Sequence, residues 1–291
     1  MAAFLLKKRI FVAMSTTLII DSGSTKMEWV LLSGGQVVAR FLAAGFNPNY
    51  SEVNTFVDLL HHELPETFSV PVDQIYYYGT GCGTEANQRL IERLLKLRFT
   101  TSKVHVTHDL MAAACALFGD KEGIACILGT GANSCWYDGH IIVDRAVSLG
   151  YLVGDEGSGC YIGRKLARAY FYGEMPPGLS KMFHEEHQLE YKDFIERVYH
   201  QPEASKYLAG FARFAGDHQD HPFIQDLVTA CFEDFVQVFV LRYEACGRLP
   251  IGFVGSVAFH FQDLLRMVLE KHHLQISDIL SAPMQGLLKN L

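Results

Sequence analysis

Leu18-Ile19-Ile20-Asp21-Ser22-Gly23-Ser24-Thr25-Lys26-Met27-Glu28-Trp29-Val30-Leu31-Leu32 reads as a buried strand, a glycine-bearing turn at 21–26 and a return strand. Ser33-Gly34-Gly35 then turns the chain into Gln36-Val37-Val38-Ala39. The same grammar recurs further along. Ile124-Ala125-Cys126-Ile127-Leu128 is a strand, Gly129-Thr130-Gly131-Ala132-Asn133-Ser134 its turn, and Cys135-Trp136-Tyr137 the return. Asp138-Gly139 turns again, into a strand over 140–143. Aligning Asp21-Ser22-Gly23 with Gly129-Thr130-Gly131 superposes the two hairpins. The reading is an internal duplication: two β-rich lobes, each opening on a glycine-turn hairpin.

Helices and strands alternate outward from these hairpins. Val53, Phe56, Val57 and Leu60 are spaced as on one helical face, so a helix is predicted from Ser51. Ile75-Tyr76-Tyr77-Tyr78 is a strand ending in Gly79-Thr80-Gly81-Cys82-Gly83, and a helix follows over about 85–97. Val104-His105-Val106 delivers Asp109 to an alanine-rich helix over 110–118. Gly154-Asp155-Glu156-Gly157-Ser158-Gly159 opens a helix to about Tyr172, and 173–249 is mostly helical, with its strongest helix over 223–243. Ile251-Gly252-Phe253-Val254 is a strand, 257–270 a helix, and Pro283 precedes a last helix over 284–288. The class is α/β with mixed sheets. The seam is expected near 119–123, dividing the chain into 14–118 and 119–291, with the last helix packing back on the first lobe.

Composition narrows the function. The 291 residues are 49% hydrophobic, enough for a sizeable core in two domains. Mean hydropathy is near zero, and no apolar run is long enough for a bilayer. A formal net charge of −7 argues against nonspecific nucleic-acid binding, which depends on Lys and Arg at phosphates. It leaves room for a local anion site. The seven cysteines are scattered and form no C-x-x-C pair, as buried free thiols of a reducing compartment do. A cytoplasmic location is therefore expected. Charges split the apolar stretch before Met14, so residues 1–13 read as a dispensable tail rather than a signal peptide.

Phosphate oxygens need approachable backbone N–H donors, which glycine turns supply. One such turn is most simply a tight hairpin; a matched pair is harder to dismiss. No G-x-x-x-x-G-K-[ST] loop is present, and neither Gly79-Thr80-Gly81 nor Gly129-Thr130-Gly131 gains the third glycine of a dinucleotide fingerprint. Asp21-Ser22-Gly23-Ser24-Thr25-Lys26 resembles the first phosphate loop of the actin-like ATPase and sugar kinase superfamily. Gly129-Thr130-Gly131-Ala132-Asn133-Ser134 resembles its second, and Gly252-Phe253-Val254-Gly255-Ser256-Val257 its adenosine motif. Val106-Thr107-His108-Asp109 and Gly154-Asp155-Glu156-Gly157-Ser158 are similar to the N-acetylglucosamine kinase branch of the BadF/BadG-type ATPases. The resemblance runs from about residue 16 to the C-terminus. It implies two actin-like (ribonuclease H-like) lobes around a central cleft. It also implies ATP and Mg²⁺ as cofactors and phosphorylation of an amino sugar, with N-acetylglucosamine 6-phosphate the expected product.

The resemblance also distributes roles. Asp109 becomes the base that takes the sugar hydroxyl proton, although an N-cap would explain an aspartate at that helix start. Asp21 faces Mg²⁺ through water, where turn chemistry alone would suffice. Gly23, Ser24, Thr25, Lys26, Gly129, Thr130, Gly131, Asn133, Gly255 and Ser256 hold the nucleotide. Asn47, Gly81, Gly150, Asp155 and Asp109 meet the sugar. Asn47 precedes a proline and also fits an ordinary turn. The family often carries Gly-Trp-Gly shortly before its Gly-Asp-Glu-Gly-Ser; Ser148-Leu149-Gly150 stands there instead, which bears on the identity of the sugar.

His184 with His187, and His218 with His221, form no complete ligand set and read as solvated positions. Tyr170-Phe171-Tyr172, Phe211 and Phe214 read as packing. The expected partners are the amino sugar and ATP, with neither nucleic acid nor membrane, and a homodimer is an open assembly state. Two other classes share the scaffold: an ATPase activator of a partner redox enzyme, and a non-catalytic sugar sensor.

Overall fold

Leu18, Ile19 and Ile20 lose all solvent exposure in β1 (Thr16–Ser22), the middle strand of the first sheet in a computed structural model describing residues 15–290. The expected tail 1–13 lies outside the described residues. β1 pairs antiparallel with β2 (Lys26–Ser33), and β2 with β3 (Gln36–Ala44). The β2–β3 turn places Gly34 and Gly35 at φ 57° and 80°, the left-handed pair that a twisted two-residue hairpin requires. α1 (Val53–Asp58) runs on into a π-helical turn over Leu59–Glu63. β4 (Gln74–Gly79) returns parallel to β1. α2 (Glu85–Arg98), capped by Thr84 Oγ1 accepting from the Asn87 N–H, leads to β5 (Lys103–His108), parallel to β4. The order is β3-β2-β1-β4-β5. Ile91, Leu94 and Leu95 line the buried face of α2, while Trp29, Phe46, Phe56 and Phe68 fill the core beside the sheet, with Phe46 and Phe56 ring centroids 4.9 Å apart. Each fully buried side chain of that size contributes about 1.5–3 kcal/mol.

The second unit begins at Asp109. α3 (Asp109–Phe118) leads to β6 (Gly123–Leu128), which pairs antiparallel with β7 (Ala132–Tyr137), and β7 with β8 (Ile142–Arg145). α4 (Gly159–Phe171) is capped by Ser158 Oγ accepting from the Tyr161 N–H. A helical run follows: α5 (Pro177–His187), α6 (Tyr191–Tyr199), α7 (Ala204–Gly210), α8 (Ala212–Asp217) and α9 (Pro222–Phe235). β9 (Ile251–Val254) pairs parallel with β6. α10 (Ser256–His260) and α11 (Gln262–Lys271) precede β10 (Ile276–Leu280), parallel to β9, and α12 (Met284–Asn290) closes the described chain. The order β10-β9-β6-β7-β8 repeats the first sheet strand for strand, β6 answering β1 and β9 answering β4. The topology carries the duplication read from the hairpins.

Several expectations change in detail. The compact units divide between His108 and Asp109 instead of near 118. α3 buries Leu110, Ala113, Ala114 and Phe118 with Ala125, Cys135 and Val254 of the second sheet, so it belongs to that unit. The last helix packs on α3: Asn290 Nδ2 donates to the Cys115 and Ala116 carbonyls, at 2.8 and 3.1 Å. Both turns are tighter than expected, because β1 runs to Ser22 and β7 starts at Ala132 opposite Leu128. By strand end, Gly23 therefore matches Gly129, and the alignment of Asp21 with Gly129 is out of step. β8 begins at Ile142 rather than at 140, since Asp138 Oδ1 accepts from both the His140 and Ile141 N–H groups and holds them in the turn. The helix predicted over 223–243 becomes α9 plus a π-helical turn, Val236–Val240, whose register keeps Val236, Phe239 and Val240 buried. The helix predicted over 257–270 is kinked at Phe261, whose ring packs into the core near Phe232. β10 was not predicted, because it buries little beyond Ile279. Among the described residues no helix is long and apolar enough to cross a membrane.

Candidate functional site

In the first unit the candidate residues gather where β1 and β4 end. Asp21 is half-buried within β1, opposite Glu28 on β2 and Tyr78 on β4. Ser24, Thr25 and Lys26 are exposed, and the Gly23 N–H donates to the Lys26 carbonyl at 3.0 Å. The turn is backed by a second glycine. A Cβ on Gly45 would overlap the Gly23 carbonyl oxygen and come within 2.7 Å of the Thr25 nitrogen, while the Gly45 N–H donates to the Thr25 carbonyl at 3.1 Å. Only a residue without a side chain permits that approach.

Ser22, fully buried, fastens the same corner. Its Oγ donates to the Phe46 carbonyl at 3.1 Å and accepts from the Phe46 N–H at 3.3 Å; its carbonyl accepts from the Thr80 N–H at 2.9 Å. Asn47 is thereby delivered beside Gly81, where a Cβ on Gly81 would overlap Asn47 Oδ1. Asn47 Oδ1 accepts from the Asn49 N–H at 3.0 Å, the turn chemistry expected of an asparagine before proline. Asn87 of α2 bridges the loops by donating to the Gly81 carbonyl and to Asn49 Oδ1, both at 2.8 Å. Sequence reasoning passed over Ser22 and Asn87. A serine in the strand that carries the buried run Leu18-Ile19-Ile20 was the available signal for the first; for the second there was none, since Asn49 lies in another loop.

The second unit builds an equivalent corner where β6 and β9 end. The Gly129 N–H donates to the Gly131 carbonyl at 3.0 Å, and the start of α4 seals the turn from behind: Gly159 N–H to Gly129 carbonyl, 2.8 Å, and Cys160 N–H to Thr130 carbonyl, 3.1 Å. Gly255, at φ 130°, plays the part that Gly45 plays in the first unit: its Cβ would overlap the Leu128 carbonyl oxygen. Ser256, exposed, opens α10. Asn133 lies on β7, with its Oδ1 accepting from the Ser134 N–H at 2.9 Å.

Asp155 completes this corner. Its φ of 58° is left-handed, and it is 8% exposed. Its Oδ2 would lie 3.1 Å from a Cβ on Gly131, and the Ala132 N–H donates to its carboxylate. Burial pushes its carboxyl above the usual carboxylate range. The Ala132 N–H opposes that rise, Glu156 reinforces it and Arg164 opposes it. Gly150, at φ 72°, occupies the preceding loop, where its carbonyl accepts from the Gly154 N–H at 2.9 Å. Asp109 heads α3, half-buried, with its Oδ1 accepting from the Leu110 N–H at 2.9 Å. Burial pushes the Cys135 thiol on β7 up to about 12, and the neighbouring Asp109 charge adds to that.

Two glycine turns with bare backbone at their rims, each backed by a further glycine, suit the oxygens of a polyphosphate. Among the described residues no three His, Cys, Asp or Glu side chains cluster to hold a metal. A cation here would have to lean on ligand phosphates and water beside a carboxylate such as Asp21, which is how Mg²⁺ binds.

No protein-family model matches the chain, and no curated protein matches it. Solved structures do. A Porphyromonas gingivalis protein provisionally named an N-acetylglucosamine kinase shares 40% identity over 94% of this chain and 98% of its own, with a TM-score of 0.89. A Chromobacterium violaceum protein of the same provisional name shares 15% identity over 96% of this chain and 99% of its own, with a TM-score of 0.71. A Streptomyces griseus ROK family glucokinase, solved with glucose and AMPPNP, shares 14% over 95% of this chain and 98% of its own, with a TM-score of 0.57. The last two bear on the fold alone.

Proposed function

From the premise that this chain belongs to the N-acetylglucosamine kinase-like family of the actin-like ATPase and sugar kinase superfamily, we propose that it transfers the γ-phosphoryl group of ATP to an amino sugar, N-acetylglucosamine first among them. The observation that carries this reading is the repeated corner. In each sheet the central strand ends in a glycine turn, and a second glycine, Gly45 or Gly255, lies so close behind that no side chain fits.

The N–H groups of Ser24, Thr25, Thr130 and Gly131 and the hydroxyls of Ser24, Thr25 and Thr130 donate to phosphate oxygens, in turns that Gly23 and Gly129 close, with Lys26 as an added cation. Gly255 and Ser256 receive the adenosine end. Asp21 would hold a water of the Mg²⁺ that accompanies ATP, an ion that would supply neutralising charge at the phosphates. Asn47, Gly81, Gly150 and Asp155 orient the sugar. Asp109 accepts the proton of the attacking hydroxyl as its oxygen bonds to the γ-phosphorus and the bond to the β,γ-bridging oxygen breaks, releasing ADP. In a loose transition state such a base acts mainly by position. The expected product is the 6-phosphate.

The test is an ADP-coupled assay with ATP, Mg²⁺ and glucose, glucosamine, N-acetylglucosamine or N-acetylmuramic acid, with product identification. N-acetylglucosamine should give the highest kcat/KM. Asp109→Ala should lower kcat by roughly a thousandfold or more, within the range of lost base catalysis, and leave ATP binding near wild type. Near-normal turnover by that variant rejects the role of Asp109; absence of transfer to every sugar rejects the reading as a kinase.

A further inference from the structure

Residues 147–154, between β8 and the start of α4, are held in place in an unusual way. Tyr151 packs against the core, yet Val147, Leu149, Leu152 and Val153 are 72%, 63%, 66% and 70% exposed. Apolar burial does little to fix this segment, so its conformation depends on polar ties to the backbone. On the near side the Ala146 N–H donates to Tyr243 Oη and to the Ser134 carbonyl, each at 3.1 Å. Within the segment the Gly154 N–H closes on the Gly150 carbonyl at 2.9 Å. On the far side stands one side chain, Arg164 of α4. Its Nη1 donates to the Leu152 carbonyl at 2.8 Å and also to the Tyr151 carbonyl.

Arg164 is itself held. Its guanidinium lies over the Tyr161 ring, 5.0 Å from the centroid, and Tyr161 Oη donates to Asp234 Oδ2 on α9 at 2.7 Å. A guanidinium held over an aromatic face, with one nitrogen shared between two carbonyls, has little freedom left to lose on binding. The relay runs from α9 through Tyr161 and Arg164 to the segment that carries Gly150 and leads into Asp155.

We propose that Arg164 is a positioning residue for the sugar: it clamps residues 147–154 in the conformation that presents Gly150 and Asp155 to the substrate, and so sets sugar affinity without touching the transferred phosphoryl group. The inference rests on the amino-sugar kinase reading above. The nearby positive charge, which favours the Asp155 carboxylate against its burial, acts in the same direction.

The test compares wild type with Arg164→Met and Arg164→Lys in the full-length protein. In Arg164→Met, loss of a charged donor to two carbonyls should speed hydrogen exchange at the amides of 150–154 by roughly tenfold or more. It should raise the sugar KM by roughly tenfold, leave the ATP KM unchanged and keep kcat at saturating sugar within about threefold of wild type. Arg164→Lys, which restores the charge on a shorter side chain without the planar guanidinium over Tyr161, should keep the sugar KM raised. Unchanged exchange in Arg164→Met overturns the clamp. Equal increases in both KM values overturn the sugar-specific role. Full recovery in Arg164→Lys places the effect in charge at Asp155 and also overturns the proposal. A wild-type protein inactive on every sugar removes the reading beneath the inference, and is recognised because the defect precedes any substitution.

Discussion

At the residue scale, Asp155 carries the sharpest tension between packing and chemistry. An ionisable side chain is nearly buried at the second glycine turn, in a left-handed backbone conformation that Asp and Asn tolerate better than other side-chain-bearing residues. Burial raises its native pKa above the ordinary 3.8, so the ionised form is disfavoured in the folded protein. The associated stability is fully present below the ordinary value and is lost as pH rises through the raised native value. Asp155→Asn keeps the backbone preference and an acceptor for the Ala132 N–H while removing the charge. It should therefore melt at a higher temperature than wild type at pH 7, and the gap should close as pH falls toward 4. Melting curves across that range check the sign, and a gap that widens on acidification rejects it. Glycine residues act at the same scale in the opposite manner, by omission. Gly255 was read from the sequence only as part of the adenosine motif, and Gly45 was not singled out; that each backs a phosphate-type turn depends on contacts with residues distant in sequence.

At the element scale, the strands and principal helices were legible because their signals are local. Buried runs such as Leu18-Ile19-Ile20 and the helical spacing of Ile91, Leu94 and Leu95 declare their elements within a few residues. Boundaries moved where a longer-range contact competed. The π-helical turn Val236–Val240 is an example: its Phe239 carbonyl accepts from Ser134 Oγ at 2.6 Å, and Ser134 also hydrogen-bonds Tyr243 Oη at 2.8 Å. Tyr243 Oη in turn accepts from the Ala146 N–H, so one buried network joins β7, the π-helical turn and the entry to residues 147–154. Tyr243→Phe should destabilise the protein by about 1–2 kcal/mol, because it removes one of the two acceptors of the Ala146 N–H and one buried partner of the Ser134 hydroxyl. Urea denaturation reads this as a lower midpoint at unchanged slope. An unaltered midpoint shows that the network adds nothing to stability.

At the scale of the whole molecule, one strand order is used twice, and each copy ends its central strand in a glycine turn. The cysteines answer to the cores of these units: Cys82, Cys126, Cys135, Cys160 and Cys231 are buried. Burial pushes the thiols of Cys160 and Cys231 up to about 12, and thiolate is the reacting form. A thiol reagent at pH 8 should therefore label the native protein slowly, beginning at the half-buried Cys115 and Cys246, and reach all seven only after denaturation. Rapid native labelling of Cys126 or Cys135 contradicts the packing described.

The chain on its own determined the α/β class, the paired hairpins, the two glycine turns and the short motifs that mark the family, since each is written in contiguous residues through periodicity, turn chemistry and capping. Folding decided what contiguous text cannot express. It assigned α3 to the second unit, set Asp155 against Gly131, put Asn87 on the Gly81 loop and hung residues 147–154 from Arg164 and Tyr243. These outcomes rest on side chains meeting across long sequence separations. Their energies depend on distance, desolvation and available donors in the packed state, none of which has a local signature.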